Sequence, residues 1–307
     1  MKLKSLKTQF IGAIAMVLVA AIAMGSSTYA WFAMNSTVTA NNMSVVAAAE
    51  AGIVISNSDK TNWTSTAGST TGNKSLLPTN TDNATVWFHS SSTDANAKHA
   101  GDIPYAYVVQ GTGLYELTKD STFQDGKTYY TTTDGVTFTS ATVTTGNAVT
   151  ASTYYELSAD TRDYYAVNEF HIRSSTTSAL TNKSLKVSRV SITTTTANST
   201  LLNNSVRVLV KIGNTAYIYR LAAEDTGAYA IGNTGRTYTA IEAGSGLDNQ
   251  FTSEVTSIPA NSDANGVTAY VYIYYEGESN YSISNNLATS TDTLAVEVDF
   301  TAFDYTP

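Results

Sequence analysis

The sequence predicts an all-β protein, an antiparallel sandwich that is preceded by a hydrophobic export helix. Three observations lead to this fold class. In several segments apolar residues recur at every second position, which places them on one face of a strand. No segment after Trp31 has the three-to-four-residue spacing of an amphipathic helix. Turn pairs such as Gly213-Asn214 and Asn265-Gly266 separate the segments, as in antiparallel hairpins.

Residues Met1 to Ala30 are typical of an export signal, with three lysines ahead of the sixteen-residue apolar run Phe10–Gly25. As a helix at about 1.5 Å per residue, this run spans roughly 24 Å, short of a hydrocarbon core of about 30 Å. We therefore predict cleavage after Ala30, so that the mature chain begins at Trp31. Two alternatives stay open, a retained membrane anchor and a stalk like that of type IV pilins.

Three segments carry the strongest strand pattern. In "SVRVLVKI", four apolar residues from Val206 to Ile212 share one face, and Arg207 and Lys211 lie on the other. "TLAVEVDFTAF" and "VTAYVYIYYE" alternate in the same way and are rich in β-branched or aromatic residues. The further candidate strands are Met43–Ala49, Ile53–Ser56, Thr85–His89, Tyr105–Val109, Leu185–Thr195 and Thr215–Leu221.

A block rich in tyrosine and threonine, residues 111–165, divides the sandwich. In it, "LYELTKD" at Leu114 is echoed by "YYELSAD" at Tyr154. We predict a β-rich insertion there, with a separate ligand-binding module as the alternative. The sandwich core then comprises residues 43–110 and 166–307. Within it, residues 57–81 contain few apolar side chains, so we expect a long exposed loop.

The composition disfavours several functional classes. The chain has 25 acidic and 17 basic residues, a net charge of −8. Because a phosphate backbone is bound by cations, this balance argues against a nucleic-acid partner. The chain has no cysteine, which excludes disulfides, thiolate catalysis and cysteine-ligated metals.

No motif in the chain indicates a reaction. The three histidines, His89, His99 and His171, lack the spacing of metal ligands. A site made from His89, His99, Asp94 and Asp102 is conceivable, but ordinary loop positions are favoured. The sequence has no G-x-S-x-G and no glycine loop that leads into a helix. We therefore predict no enzymatic activity, no metal and no cofactor.

The segment 31–42 is a candidate N-terminal arm. Trp31 opens it, and Phe32, Met34, Val38 and Ala40 share one parity along it. It contains neither charge nor proline from Trp31 to Ala40, although exposed strands normally carry such residues against self-pairing. This favours a donor strand that adds to the sheet of another subunit, a contact between unlike surfaces that grows filaments. The alternative is that the segment is the protein's own first strand.

The two ends of the chain resemble one known family. "TYAWFAMNSTVTANNMSV" is similar to the cleavage region and first strand of the TasA/camelysin family of secreted Gram-positive biofilm fibre proteins, and "LAVEVDFTAFDY" resembles their last strand. The resemblance implies a secreted, jelly-roll-like subunit that a dedicated signal peptidase cuts at Ala30 and Trp31. It also implies that copies of the chain polymerise by donor-strand exchange.

We therefore expect a structural subunit of an extracellular fibre or pilus, in the biofilm matrix or on the cell surface. The alternative is a monomeric or membrane-anchored adhesin or glycan-binding protein. In that case the Tyr-rich block would supply the contact surface, since exposed aromatic residues suit such contacts.

Overall fold

The computed structural model describes residues 38–50, 52–71, 74–90, 105–117, 127–142, 154–157, 163–194, 205–221, 229–231, 236–238, 240–251, 253–277 and 293–305. These residues form an all-β structure, as predicted, and their one helix is a 3₁₀ turn at Leu247–Asn249. The predicted export helix lies outside them. In chain order the strands are β1 (Val38–Ala49), β2 (Ile53–Asn57), β3 (Thr66–Thr71), β4 (Lys74–Leu76), β5 (Asn80–Thr81), β6 (Trp87–Ser90), β7 (Tyr105–Val109), β8 (Gly113–Leu117), β9 (Thr128–Thr131), β10 (Thr139–Thr142), β11 (Tyr155–Leu157), β12 (Tyr165–Ser174), β13 (Leu180–Thr181), β14 (Lys183–Thr194), β15 (Val206–Ile212), β16 (Thr215–Arg220), β17 (Tyr229–Ile231), β18 (Arg236–Tyr238), β19 (Ile241–Glu242), β20 (Ser257–Ile258), β21 (Val267–Tyr275) and β22 (Thr293–Asp304).

Two sheets enclose the main core. The front sheet has the order β14-β22-β1-β3, with β4 also paired to β1, and the central sheet has the order β19-β16-β15-β21-β12-β2. Apolar side chains from the facing sides of both sheets form one buried cluster, as alternation predicts. Its members include Met43, Val45, Val187, Val296, Val298 and Phe300 from the front sheet, and Ile55, Phe170, Ile172, Val208, Val210, Val271 and Ile273 from the central sheet.

A third layer covers the other face of the central sheet. This back sheet has the order β10-β9-β11-β8-β7-β6-β5. Trp87, Phe88 and Leu114 from the back sheet pack with Leu209 and Tyr274 of the central sheet in a second buried cluster. The central sheet is therefore buried on both faces over part of its width. The alternation of apolar and charged residues along β15 predicts burial of one face only.

The strands predicted by alternation are confirmed, but the predicted loop over residues 57–81 is wrong. This stretch contains β3, β4 and β5, and Leu76, Leu77 and Thr79 are fully buried in it. Its threonines and serines are compatible with a strand, and pairing with β1 decides the conformation. β3 needs few apolar side chains of its own, because the neighbouring β1 already supplies apolar side chains to the core.

The two copies of the sequence echo pair with each other. β8 and β11 are antiparallel neighbours, and Glu116 lies directly opposite Glu156. Like charges at such a position are unfavourable. Lys127 lies near this pair, with its Nζ 2.6 Å from Oε2 of Glu156. The back sheet thus combines strands from two parts of the sequence. The Tyr/Thr-rich block supplies β8, β9, β10 and β11, and β5, β6 and β7 precede residue 111.

Most of the described aromatic residues of the Tyr/Thr-rich block pack against one another or against rings of β6 and β7. The rings of Tyr115 and Phe138 are stacked with centroids 3.8 Å apart, and Tyr155 meets Tyr107 edge to face at 5.0 Å. Trp87 stacks on Tyr165 at 4.2 Å where the back sheet meets the central sheet. These rings stabilise the layer rather than forming an open contact surface.

We expect the protein to lose stability in alkali because these layers bury phenol groups. Burial raises the pKa of Tyr272 from 10.0 to about 12, and the nearby Tyr165 adds to the effect. Burial also raises the pKa of Tyr155, Tyr219 and Tyr274. A raised folded-state pKa stabilises the fold fully below the unfolded value near 10, and this contribution is lost as the pH rises toward 12.

Phenolate absorbance and circular dichroism, followed through an alkaline titration, should therefore show a class of tyrosines that ionises together with unfolding. Smooth ionisation of every tyrosine near pH 10 with the fold intact would contradict this burial.

Candidate functional site

The first described strand contains part of the predicted arm. Val38 to Ala40 pair antiparallel with β4, and Val38 lies opposite Leu76. Val38 and Ala40, which the sequence places in the arm, thus pair within their own chain. Trp31, Phe32 and Met34, with the predicted cleavage position at Ala30, lie outside the described residues. The part of the arm that remains a candidate donor is therefore 31–37.

β1 is an inner strand of the front sheet. It pairs parallel with β22 and antiparallel with β3. Its residues Met43, Val45 and Ala47 are fully buried. The described chain therefore begins, at Val38, on the sandwich beside the paired β4.

The two outer strands of the front sheet differ in how they are protected. β14 carries Lys183, Lys186 and Arg189, and its Val190 N–H donates to the carbonyl of Gly244 over 2.9 Å. β3 has the sequence "TAGSTT", which contains no charge and no proline. In the described part of the chain, no strand pairs with the outer side of β3. Since charges and covering segments are the usual protection of a sheet edge, β3 is the less protected of the two.

Two of the three histidines lie among the described residues. Nδ1 of His89 is 2.8 Å from the carbonyl oxygen of Pro78, and His171 lies beside Glu169. His99, Asp94 and Asp102 lie outside the described ranges. Within those ranges no group of three potential metal ligands comes together.

Glu169 and His171 form a pair that sequence reasoning missed. His171 is 1% exposed, and its Nε2 lies 2.8 Å from Oε1 of Glu169, although the oxygen is off the line of a straight hydrogen bond. Nδ1 of His171 is 3.4 Å from Oγ1 of Thr268 on the neighbouring strand. The signal was present in the sequence, because residues two apart in a strand share a face.

A cleft opens beside Glu169, along the part of β12 that extends past the end of β2 and next to β3. Its volume is roughly 470 Å³. Glu169, Asn168 and Tyr270 line it from β12 and β21, Asn57 lines it from the end of β2, and Gly68 of β3 closes it on the front side. The lining is more polar than apolar, so the cleft differs from the two hydrophobic cores.

No family model, no curated protein and no solved structure matches this chain. Over the ranges that the structure describes, no helix is both long enough and apolar enough to cross a membrane.

Proposed function

We propose that this chain is a structural subunit of an extracellular protein fibre, and that copies of it join through their N-terminal arms. In the proposal a signal peptidase releases the chain at Trp31 after export. The arm 31–37 of one copy then adds to the outer edge of β3 in the next copy. The proposal includes a jelly-roll-like connectivity for the sandwich, a place in the biofilm matrix or on the cell surface, and no enzymatic role.

The observation that carries the proposal is that both the arm and the outer strand β3 lack charged residues. The arm has no charge or proline, and β3 has none either. Seven extended residues span roughly 23 Å at about 3.3 Å each, which suits an edge strand of similar length. β3 has six residues. Main-chain hydrogen bonds supply the affinity in such strand addition, and side chains that enter pockets supply the specificity.

The geometry of the contact favours a fibre over a closed dimer. The arm and the β3 edge are different surfaces, so each copy can donate to one neighbour and accept from another. Because β1 is an inner strand with a buried face, removal of residues 31–37 leaves its described pairings in place.

The alternative is a monomeric adhesin that uses the Tyr/Thr-rich block as its contact surface. It is less favoured, because Tyr115, Tyr129 and Phe138 pack inside the back sheet or against neighbouring rings.

We expect a chain that begins at Val38 to fold but not to polymerise. The truncation removes the donor and keeps all of β1. Sedimentation and electron microscopy should show monomers, whereas the chain that begins at Trp31 forms filaments. Circular dichroism should give the same strand signal for both chains. Filaments of unchanged appearance from the truncated chain would refute the arm as donor, and loss of the strand signal would make residues 31–37 part of the fold.

A pair of lysine substitutions separates edge pairing from a general charge effect. Thr70→Lys adds a charge to the acceptor edge β3, and Thr193→Lys adds the same charge at an exposed position of β14. We expect Thr70→Lys to slow or prevent polymerisation and Thr193→Lys to leave it unchanged.

A further inference from the structure

We propose that the first half of β12 binds an extended, basic segment of a second protein, which adds to the central sheet as a strand. β12 runs from Tyr165 to Ser174, but β2 pairs only with its second half, which begins at Phe170. In the described part of the chain, no strand pairs with this side of β12 over residues 165–169. We call this stretch the open edge of β12.

The main-chain groups of Val167 and Glu169 point out from the open edge. In an antiparallel sheet, the N–H and C=O of one residue point to the same side of the strand, and those of the next residue point to the other side. The N–H of Ser175 donates to the carbonyl of Gly52, which directly precedes β2. Because the register of β12 has no shift, the odd-numbered residues of the strand all point to that side.

Both ends of the open edge are defined. At the start of β12, the Nε2 of Gln110 donates to the carbonyl of Tyr165 over 3.4 Å, and at the other end pairing with β2 begins at Phe170. The main-chain groups of Val167 and Glu169 lie between these ends. A strand of about five residues, roughly 17 Å at about 3.4 Å each, covers this length. A cleft of roughly 470 Å³ along this part of β12 leaves room for it.

The side chains at the open edge favour a partner strand with one apolar and one basic residue. Val167 is 47% exposed, the highest value among the large apolar residues that the structure describes. Glu169 lies two residues further along the same face, and its side chain is 36% exposed. Directly opposed residues in paired strands have Cβ atoms about 4.5–5.5 Å apart, which permits apolar and ionic contacts. An apolar residue therefore suits the place opposite Val167, and a lysine or arginine suits the place opposite Glu169.

The charge of Glu169 is fixed at this place, and the charge of the whole chain acts in the same direction. The Oε1 of Glu169 lies 2.8 Å from Nε2 of the buried His171, and Tyr270 lies opposite Glu169 on β21. The chain has a net charge of −8, which attracts a basic segment over a longer range. The arm of a neighbouring copy is less suitable, because it has no charged residue to pair with Glu169.

This site is separate from the proposed fibre contact. The open edge belongs to the central sheet, whereas the proposed acceptor of the arm is β3 of the front sheet. Packed sheets lie about 10 Å apart, so each sheet can gain a strand without excluding the other.

The test is a titration of fluorescein-labelled peptides with the chain that begins at Trp31, followed by fluorescence anisotropy. The probe is the peptide Ser-Thr-Lys-Thr-Val-Thr-Ser, whose lysine and valine share one face of a strand. One control peptide has glutamate in place of the lysine, and a second carries N-methyl groups on the lysine and valine amides, which would face β12. A third is the arm itself, residues 31–37. We expect saturable binding of the lysine probe, and at least about tenfold weaker binding of each control peptide.

Three variants locate the binding. Val167→Pro removes an outward N–H but no hydrogen bond to β21, which is where a strand tolerates proline, and it should weaken the lysine probe at least about tenfold. Val167→Thr keeps the N–H and the branched side chain, and it should bind the probe like the unaltered chain. Glu169→Gln should bring the lysine and glutamate peptides to similar affinities. Circular dichroism monitors the fold of each variant.

Two results would overturn the proposal. The first is the absence of saturable binding by the lysine probe, and the second is equal binding of that probe by the unaltered chain and a folded Val167→Pro. If Val167→Pro loses its strand signal, the Glu169→Gln comparison decides, and an unchanged preference for lysine over glutamate would then refute the site.

Electron microscopy separates this site from the fibre contact. We expect Val167→Pro to form the same filaments as the unaltered chain. Loss of filaments in a folded Val167→Pro, together with tighter binding of the arm peptide than of the lysine probe, would overturn the proposal by assigning the open edge to the arm of a neighbouring copy.

Discussion

Replacement of Val208 by aspartate is expected to prevent the protein from folding. Val208 is fully buried in β15, near the centre of the main core, between Tyr219 and Ile273 on the flanking strands. An unpaired carboxylate costs several kcal/mol or more at such a site. The free energy of unfolding of a whole domain is only about 5–15 kcal/mol.

Leu157→Asp is the matched control for this change. It introduces the same carboxylate at an apolar residue that is 42% exposed, and such surface changes usually alter the free energy of unfolding by about 0.5 kcal/mol or less. Circular dichroism and urea unfolding of both variants make the comparison. A cooperative transition of Val208→Asp close to that of the unaltered chain would contradict the burial of this strand between two sheets.

Loss of Glu276 is expected to be nearly as damaging, because it removes a buried carboxylate beside a buried cation. Arg207 and Glu276 are both 0% exposed, with 3.9 Å between Nε and Oε2. Nη1 of Arg207 also donates to the Val206 carbonyl over 3.0 Å. Removal of one member of a buried ion pair typically costs about 3–5 kcal/mol.

A double variant that removes both charges is the diagnostic comparison for this ion pair. In Glu276→Ala the free energy of unfolding should fall by about 3–5 kcal/mol, whereas the double variant Arg207→Met, Glu276→Leu should recover most of the loss. Urea unfolding of the single and double variants measures this coupling. If Glu276→Ala costs less than about 1 kcal/mol, the pair behaves as a surface ion pair and the back sheet does not cover it.

The alternation of apolar and polar residues was sufficient to predict the strands that bury one face in the core. β21 and β22 begin and end within about two residues of the predicted segments, because apolar and polar residues alternate strictly along them. β3 could not be predicted in this way. Its six residues contain no large apolar side chain, and its conformation comes from pairing with β1, which is distant in sequence.

The position of Arg207 shows a second limit. Its alternation with valines predicts that the Arg207 side chain faces solvent. The back sheet instead covers that face of β15, and the carboxylate of Glu276, 69 residues away in sequence, lies beside the guanidinium group. The same limit applies to the cleft, whose lining comes from four strands and one turn. The arm could be proposed from its missing charges alone, but the edge that would receive it depends on the order of strands in the front sheet.

Pairing of the arm of one copy with β3 of another copy can be tested by the formation of intermolecular disulfides. The chain contains no cysteine, so engineered pairs can be read without background. One chain carries Met34→Cys, and a second set carries a single cysteine at each of the six positions of β3 in turn. A control chain carries Lys186→Cys on β14, the other outer strand.

The single-cysteine chains are mixed, allowed to assemble and oxidised, and the products are separated without reductant. We expect a disulfide-linked dimer of the Met34→Cys chain with one or more of the β3 chains, and none with the Lys186→Cys chain. Assembly into filaments without any cross-link to β3, or with equal cross-linking to β14, would contradict it.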